Sequence, residues 1–487
     1  MIKLIIIEIS KILKHKSIYF IFLLIFLFCF FNNFLFRLDY DSDGRYKYTE
    51  DINVGKEIVR LNKELNNYDV NNEKDKNIYI STKSLKDVYS DMLRFDKNSW
   101  QYIKYNDYMY DIIYNMNYYM YVIKDKDKLK EYSDKYNKYV SYFKDNNYKY
   151  FICEEKKVLD SKIKDIENKI KVTSDKELSG ILNIDLTKYK NELLIINYRL
   201  SNNISYSNTY LNRALIEYEE GISKRDEYKN RKLEFNDQVK YNQIISKIYV
   251  NKYIIDNKVN VLKINSLNNQ LRDITLDYEL FIIIIILISI GILFGDEFSS
   301  GTIKLLLIKP YKRSSILFSK IIACFMMILI TILFLIICEL LLGGIILGFD
   351  SLKDIVAVYN FNSNKIIEYN IFIYMFFNII SRMPMFLFVL LLGILINNLS
   401  NNIISFSISF IIFSFSTVIN NLIINNNIRL LKYLFTLNWN YTNYLFGGIG
   451  DFKYLSLKNS IFIYIIYVII LLVIMTYYFN RKDIKNV

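Results

Sequence analysis

Histidine and cysteine, which are common in catalytic and metal sites, are rare in this sequence. The chain of 487 residues has one histidine, His15, and four cysteines. Histidine is the usual general acid or base and, with cysteine, the usual zinc ligand. Only Cys153 lies in a polar part of the chain, and none of the spacings typical of zinc sites occurs. The sequence therefore predicts no catalytic residue, no metal site and no cofactor, which indicates that the protein is not an enzyme.

The charged residues that stand out lie between or within apolar runs. Residues 294–320, FGDEFSSGTIKLLLIKPYKRSSILFSK, combine an Asp-Glu pair with five basic residues between two apolar runs. A plain basic anchor at the inner membrane surface explains the lysines. It does not explain the acidic pair or Gly301, so we expect this loop to have a function of its own.

Two further charges, Glu339 and Arg382, fall inside apolar runs. Charges are costly in hydrocarbon and tend to pair or to face a watery path. By the helical rise, both lie toward the outer leaflet. One interpretation is an ion pair between spans 3 and 4 that steadies an outer gate. The alternative is that each side chain reaches separately to the outer interface.

Six apolar runs are close in length to the roughly 20 residues that cross a bilayer, and these runs must position the charged residues. With an N-terminus inside, the inner segments hold twelve Lys and Arg and the short outer loops hold six. This charge bias predicts an all-α integral membrane protein of the plasma membrane with both termini cytoplasmic. The predicted transmembrane helices are 17–37, 279–295, 315–349, 370–397, 402–425 and 460–480, with 296–314 as a cytoplasmic loop, 426–459 as an extracellular loop and 481–487 as a cytoplasmic tail.

The N-terminal residues 1–16 form a basic amphipathic pattern, with Ile2, Ile5, Ile9 and Ile12 on one helical face. Such a helix is expected to lie flat in the inner membrane interface. The alternative is that it extends span 1.

The polar block 38–278 is predicted to be a helical extracellular domain. It has no proline, and apolar residues at steps of four and three predict an antiparallel, coiled-coil-like hairpin. Tyrosines crowd residues 102–150 and indicate either an aromatic platform for a ligand or a helical core in which Tyr replaces Leu. The two stripes of the hairpin are Leu159, Ile163, Ile166 and Ile170, and Tyr189, Leu193, Ile196 and Leu200.

The loop at 296–320 resembles the signature of ABC-2 type transporter permeases, the membrane subunits of one class of ABC exporter. The segments LFTLNWNYTNYLFGG (434–448), FNRKDIKNV (479–487) and NYRLSNNISYSNTYLN (197–212) are also similar to Firmicute members of that family. The resemblance implies that the loop couples the permease to its ATPase. The matching residues are Glu297, Gly301, Thr302, Lys309, Pro310, Arg313 and Lys320.

The resemblance also implies the partners of the chain. A separate cytoplasmic ATPase and a second permease, either identical or related, would complete an exporter of a small amphiphile, peptide or lipid-like compound. No GxxxxGK[ST] phosphate loop occurs, so ATP hydrolysis is expected in the separate subunit. The basic charge follows the membrane topology and needs no nucleic acid. The alternative is a non-transporting regulator whose extracellular domain controls a cell-wall enzyme or senses an extracellular ligand.

Overall fold

The computed structural model describes residues 1–39, 54–69, 72–173, 175–229, 235–259, 266–297, 311–426, 428–448 and 455–481. The chain divides into two compact units. The membrane unit comprises 1–46, 231–246 and 261–487, and the helical unit comprises 47–230 and 247–260.

Within the described residues, six helices are long and apolar enough to cross a membrane, which makes this a multi-pass membrane protein. They occur where the apolar runs predict them, because runs of that length satisfy their backbone groups in lipid only as helices. Spans 2, 3 and 4 are about half buried within the protein, whereas spans 1, 5 and 6 are mostly exposed. Spans 1 to 6 are Lys16–Arg37, Glu279–Asp296, Arg313–Leu347, Ile371–Leu399, Asn402–Asn425 and Leu457–Arg481.

Two spans contain π-helical turns. Span 2 continues from an α-helix, Glu279–Ile290, into a π-helix at Gly291–Asp296. Span 3 runs as an α-helix from Arg313 to Cys338, as a π-helix over Glu339–Gly343 and as a last α-helical turn at Gly344–Leu347. Such turns often mark functional sites, and both lie beside buried charged residues.

The N-terminal helix, α1 (Ile2–Lys14), is separate from span 1, because His15 between them is extended. This break rules out the simple extension of span 1. The buried face differs from the predicted one: Leu4, Glu8 and Ile12 are buried, while Ile2 is 74% exposed.

A β-hairpin between spans 3 and 4 departs from the all-α prediction. Strands β1 (Ile355–Asn360) and β2 (Lys365–Asn370) pair antiparallel, with Val358 opposite Ile367. Both strands are rich in β-branched residues, which favour extended backbone. The hairpin packs beside the segment 442–448, where Phe361 N–H donates to the Gly447 carbonyl at 3.1 Å.

The helical unit is built around an aromatic core. Trp100 and Phe143 stack with ring centroids 5.0 Å apart, and Tyr105 is 1% exposed. The hydroxyls of Tyr105 and Tyr136 both donate to Asp91 Oδ2, at 2.9 and 2.6 Å. Many of the tyrosines therefore do replace Leu in a core, with their polar ends satisfied by hydrogen bonds.

The predicted antiparallel hairpin is present within the helical unit. Helices α7 (Tyr148–Val172) and α8 (Lys176–Asn202) pack through Leu159 and Ile196, and the Glu167–Lys190 ion pair lies nearer their turn. The turn is much shorter than predicted, because α8 begins at Lys176. The helices of this unit from α3 to α9 are Val54–Leu65, Lys76–Met92, Trp100–Tyr118, Lys126–Lys144, Tyr148–Val172, Lys176–Asn202 and Tyr210–Lys229. The next helix, α10 (Phe235–Asn257), is divided between the two units, and the membrane unit also contains Leu267–Arg272 and Ile274–Asp277.

The π-helical turn of span 2 offers a test of packing against span 5. A Cβ on Gly295 would lie 1.4 Å from Asn402 Oδ1, whereas a Cβ on Gly291 would meet no atom within 4 Å. We expect Gly295→Ala to lower the free energy of unfolding by about 1–3 kcal/mol through overpacking. Gly291→Ala, one turn away, is the matched control and should be near neutral.

Thermal unfolding of both variants in nanodiscs provides the measurement. Adding Asn402→Ala should recover part of the loss in Gly295→Ala, since it removes the colliding side chain. Equal stability of the two glycine variants would contradict this account of the packing.

Candidate functional site

The residues that border the predicted coupling loop lie in a buried charge cluster, which we define as Glu8, Lys11, Glu297 and Lys320. Lys320 is fully buried, and its Nζ donates to Glu297 Oε2 at 2.6 Å. The same amine donates to the Leu293 carbonyl at 2.7 Å and to Glu8 Oε2 at 3.4 Å. A buried ammonium is tolerated only with such partners.

A second amine completes the cluster from the N-terminal helix. Lys11 Nζ lies 2.6 Å from Glu297 Oε1 and 3.2 Å from Glu8 Oε1. Two carboxylates therefore alternate with two amines, and the cluster has no formal net charge. Burial alone would lower the pKa of Lys11, but hydrogen bonds and charge from Glu297 and Glu8 outweigh it and raise that pKa. Lys11 thus stays protonated well above neutral pH.

Local sequence explains how each member reaches the cluster. Glu8 lies on the same face of α1 as Leu4 and Ile12, four residues to either side, so packing that face against the protein buries the carboxylate. Glu297 directly follows the π-helical turn of span 2. Lys320 lies in the second turn of span 3. The cluster consequently connects α1, span 2 and span 3.

The predicted coupling residues differ in their environment. Glu297 and Lys320 are buried and hydrogen-bonded to each other, and their role in coupling to an ATPase stays a prediction. Arg313 lies at the start of span 3, where it donates to the Asn480 carbonyl near the end of span 6 at 2.8 Å. Gly301, Thr302, Lys309 and Pro310 lie outside the described residues.

Sequence reasoning missed Glu8 as a site residue and treated Lys11 only as part of the basic inner face. One signal was available, since Glu8 is the only acidic residue in α1 and lies among apolar neighbours. An isolated acid on an apolar face indicates a buried partner of opposite charge.

The predicted ion pair between Glu339 and Arg382 is replaced by two separate arrangements. Arg382 Nη1 lies 3.0 Å from Glu279 Oε2 at the start of span 2. Glu339 is fully buried and accepts hydrogen bonds from the Tyr278 hydroxyl and, at 2.9 Å, from Asn33 Nδ2. Glu339 therefore faces spans 1 and 2, while Arg382 faces the start of span 2 from span 4.

Arg382 and Glu279 border a polar cavity of about 270 Å³ in the membrane unit. Amide side chains of span 5 and of the segment 436–444 supply much of its wall, including Asn420 and Asn440. Arg382 is 6% exposed, and its Nε has no hydrogen-bond partner among the described residues. A polar cavity among membrane spans is the kind of place where a transported polar group is accommodated.

The described residues contain no group of three or more His, Cys, Asp or Glu side chains that could hold a metal ion. All four cysteines are free, and three of them are buried in the membrane unit. The charged side chains of the cluster act by electrostatic attraction, which holds α1, span 2 and span 3 together.

The charge cluster gives a double-mutant test. Lys320→Met strands two buried carboxylates with one amine and should cost about 3–5 kcal/mol of stability. Lys320→Met combined with Glu297→Gln should cost less than the sum of the single changes, because it removes opposite charges together. Lys14→Met, at an exposed position of α1, is the control and should change stability by less than about 0.5 kcal/mol. Chemical or thermal unfolding in nanodiscs measures all four, and purely additive losses would exclude the coupling.

Comparison with known proteins adds one family. No curated protein and no solved structure matches the chain. A family model described as "Protein of unknown function (DUF2705)" matches residues 240–485, which cover spans 2 to 6 and the loop bordered by the charge cluster. Since this match covers half of the chain, the protein belongs to the DUF2705 family.

Proposed function

We propose that the chain is the permease subunit of an ABC exporter, driven by a separate cytoplasmic ATPase. The observation that carries this proposal is the connection between Glu297 and Lys320, at 2.6 Å. These residues border the loop that resembles the ABC-2 coupling segment. Because both ends of that loop are held to each other and to α1, force applied to the loop would reach spans 2 and 3 and the N-terminal helix together.

The proposed orientation puts both termini and the coupling loop in the cytoplasm. Contacts support a common side for these parts, since Lys11 binds Glu297 and Arg313 binds the Asn480 carbonyl. The excess of basic residues in these segments supports the cytoplasmic assignment. The helical unit is then extracellular, and the protein resides in the plasma membrane.

The cavity at Arg382 and Glu279 supports export over a purely regulatory role. A regulator that only transmits force to a cell-wall enzyme has no need for a polar cavity among its spans. An exporter needs a path on which polar groups of its substrate are solvated. A small amphiphile, peptide or lipid-like compound presents such groups on an apolar body. We further propose a second permease copy, or a related permease, as partner, because the resemblance of the coupling loop to ABC-2 permeases implies such a pair.

The native cysteines allow the orientation to be tested. Cys153 in the helical unit is exposed, and the other three cysteines are buried. A membrane-impermeant maleimide should therefore label Cys153 in intact cells, and Cys153→Ser should abolish the label. Lys312→Cys in that background should react only after the membrane is opened. Labelling of Lys312→Cys in intact cells would contradict the orientation.

The partner ATPase can be tested by affinity purification of the tagged chain from its native membranes. We expect a stoichiometric second protein with a GxxxxGK[ST] motif, identified by mass spectrometry. Arg313→Glu should lower its recovery several-fold, because the charge lies at the end of the coupling loop. Lys353→Glu, an exposed residue between spans 3 and 4, is the matched control. Absence of an ATPase, or equal recovery with both variants, would contradict the proposal.

A further inference from the structure

The helical unit contains an open cavity of about 510 Å³ between α5, α7, α8 and α9. This volume is within the range of small-molecule sites, roughly 300–1,000 Å³. Apolar and aromatic side chains form much of its wall, among them Tyr108, Phe151, Leu159 and Ile196. Such a wall can accept the apolar body of a ligand.

The positive charges around this cavity are already engaged. Lys104 Nζ lies 2.7 Å from Asp107 Oδ2, and Lys162 Nζ lies 5.4 Å from the centroid of the Tyr189 ring. Arg199 Nη1 donates to the Ser205 carbonyl at 2.9 Å and to Asn212 Oδ1 at 2.8 Å. These contacts leave the cations poorly placed to bind an anion.

The negative charges are less well compensated. Glu155 accepts hydrogen bonds from the neutral hydroxyls of Tyr108 and Tyr206. Within the described parts of the chain, Glu155, Glu192 and Glu219 form no salt bridge. Burial raises the pKa of Glu219 and the charge of Glu192 adds to the effect, while the charge of Arg199 opposes it without cancelling it. The cavity therefore combines an apolar wall with carboxylates that have no salt-bridge partner among the described residues, although the charge of Arg199 acts on Glu155 and Glu219 from a longer distance.

We propose that this cavity binds a small cationic amphiphile, with an apolar body against Phe151 and Leu159 and a protonated amine beside Glu192 and Glu219. The amine supplies the close counter-charge that Arg199, held by Ser205 and Asn212, does not provide, and the apolar wall removes the rest of the molecule from water. This binding site goes beyond the proposed export function and does not depend on it.

A charge series on one scaffold tests the proposal with the intact chain in phosphatidylcholine nanodiscs. The probes are 4-phenylbutylamine, the neutral 4-phenylbutan-1-ol and the anionic 4-phenylbutanoate. Equilibrium dialysis against matched empty nanodiscs measures their binding to the protein. We expect the amine to bind at least about tenfold more tightly than the alcohol, and the carboxylate to bind more weakly still.

Variants locate the site. Combined Glu192→Gln and Glu219→Gln should weaken amine binding about tenfold or more and leave alcohol binding nearly unchanged. Glu177→Gln, an exposed residue on the same helix α8, is the matched control and should bind the amine like the wild type. Val158→Trp, at a half-exposed position of the cavity wall, should weaken binding of amine and alcohol alike.

Three results would overturn the proposal. They are wild-type binding of the amine no greater than in empty nanodiscs, equal affinity for the amine and the alcohol, and unchanged amine affinity in the Glu192→Gln and Glu219→Gln variant. The first two need only the unmodified protein, so they remain decisive even if a variant folds poorly.

Discussion

The neutralisation of Lys320 is the interaction on which the membrane unit depends most. An ammonium group removed from water is destabilised by several kcal/mol unless carboxylates and hydrogen bonds compensate it. Its three partners come from α1, from the π-helical turn of span 2 and from Glu297 at its end. The contacts of this one side chain thus fix the relative positions of α1, span 2 and span 3, although α1 is distant from both spans in sequence.

The other buried charges of the membrane unit are accommodated in two different ways. Arg382 has a carboxylate partner and an unsatisfied Nε beside a polar cavity. Glu339 has only neutral donors, the hydroxyl of Tyr278 and the amide of Asn33. An ion pair keeps both charges in place, whereas neutral donors suit a carboxyl group that holds a proton as well as one that does not. Within the described residues, span 3 therefore carries two buried charged side chains in different surroundings. Lys320 near one end is paired with carboxylates, whereas Glu339 near the other end accepts hydrogen bonds from neutral donors.

The sequence predicted the elements of this fold better than their partners. Long apolar runs located all six spans, and the spacing of Leu159, Ile163 and their neighbours predicted the α7–α8 hairpin. Strands β1 and β2 were missed because two six-residue stretches beside a long apolar run give little periodic signal. The loop motif led to Glu297 and Lys320. The contacts of Glu339 and Arg382 could not be predicted, because depth in the membrane does not determine the direction in which a side chain points around the helix.

The order in which the chain is synthesised determines when the charge cluster can form. Glu8 and Lys11 leave the ribosome first, and Lys320 follows only after the whole helical unit has been made. Glu297 is made shortly before Lys320, and in that interval two carboxylates share the single amine of Lys11. Domains generally fold as they emerge, N-terminal parts first. The helical unit can therefore complete its aromatic core before α1 acquires its final partners. A nascent chain that ends between Glu297 and Lys320 would keep one carboxylate of the cluster uncompensated.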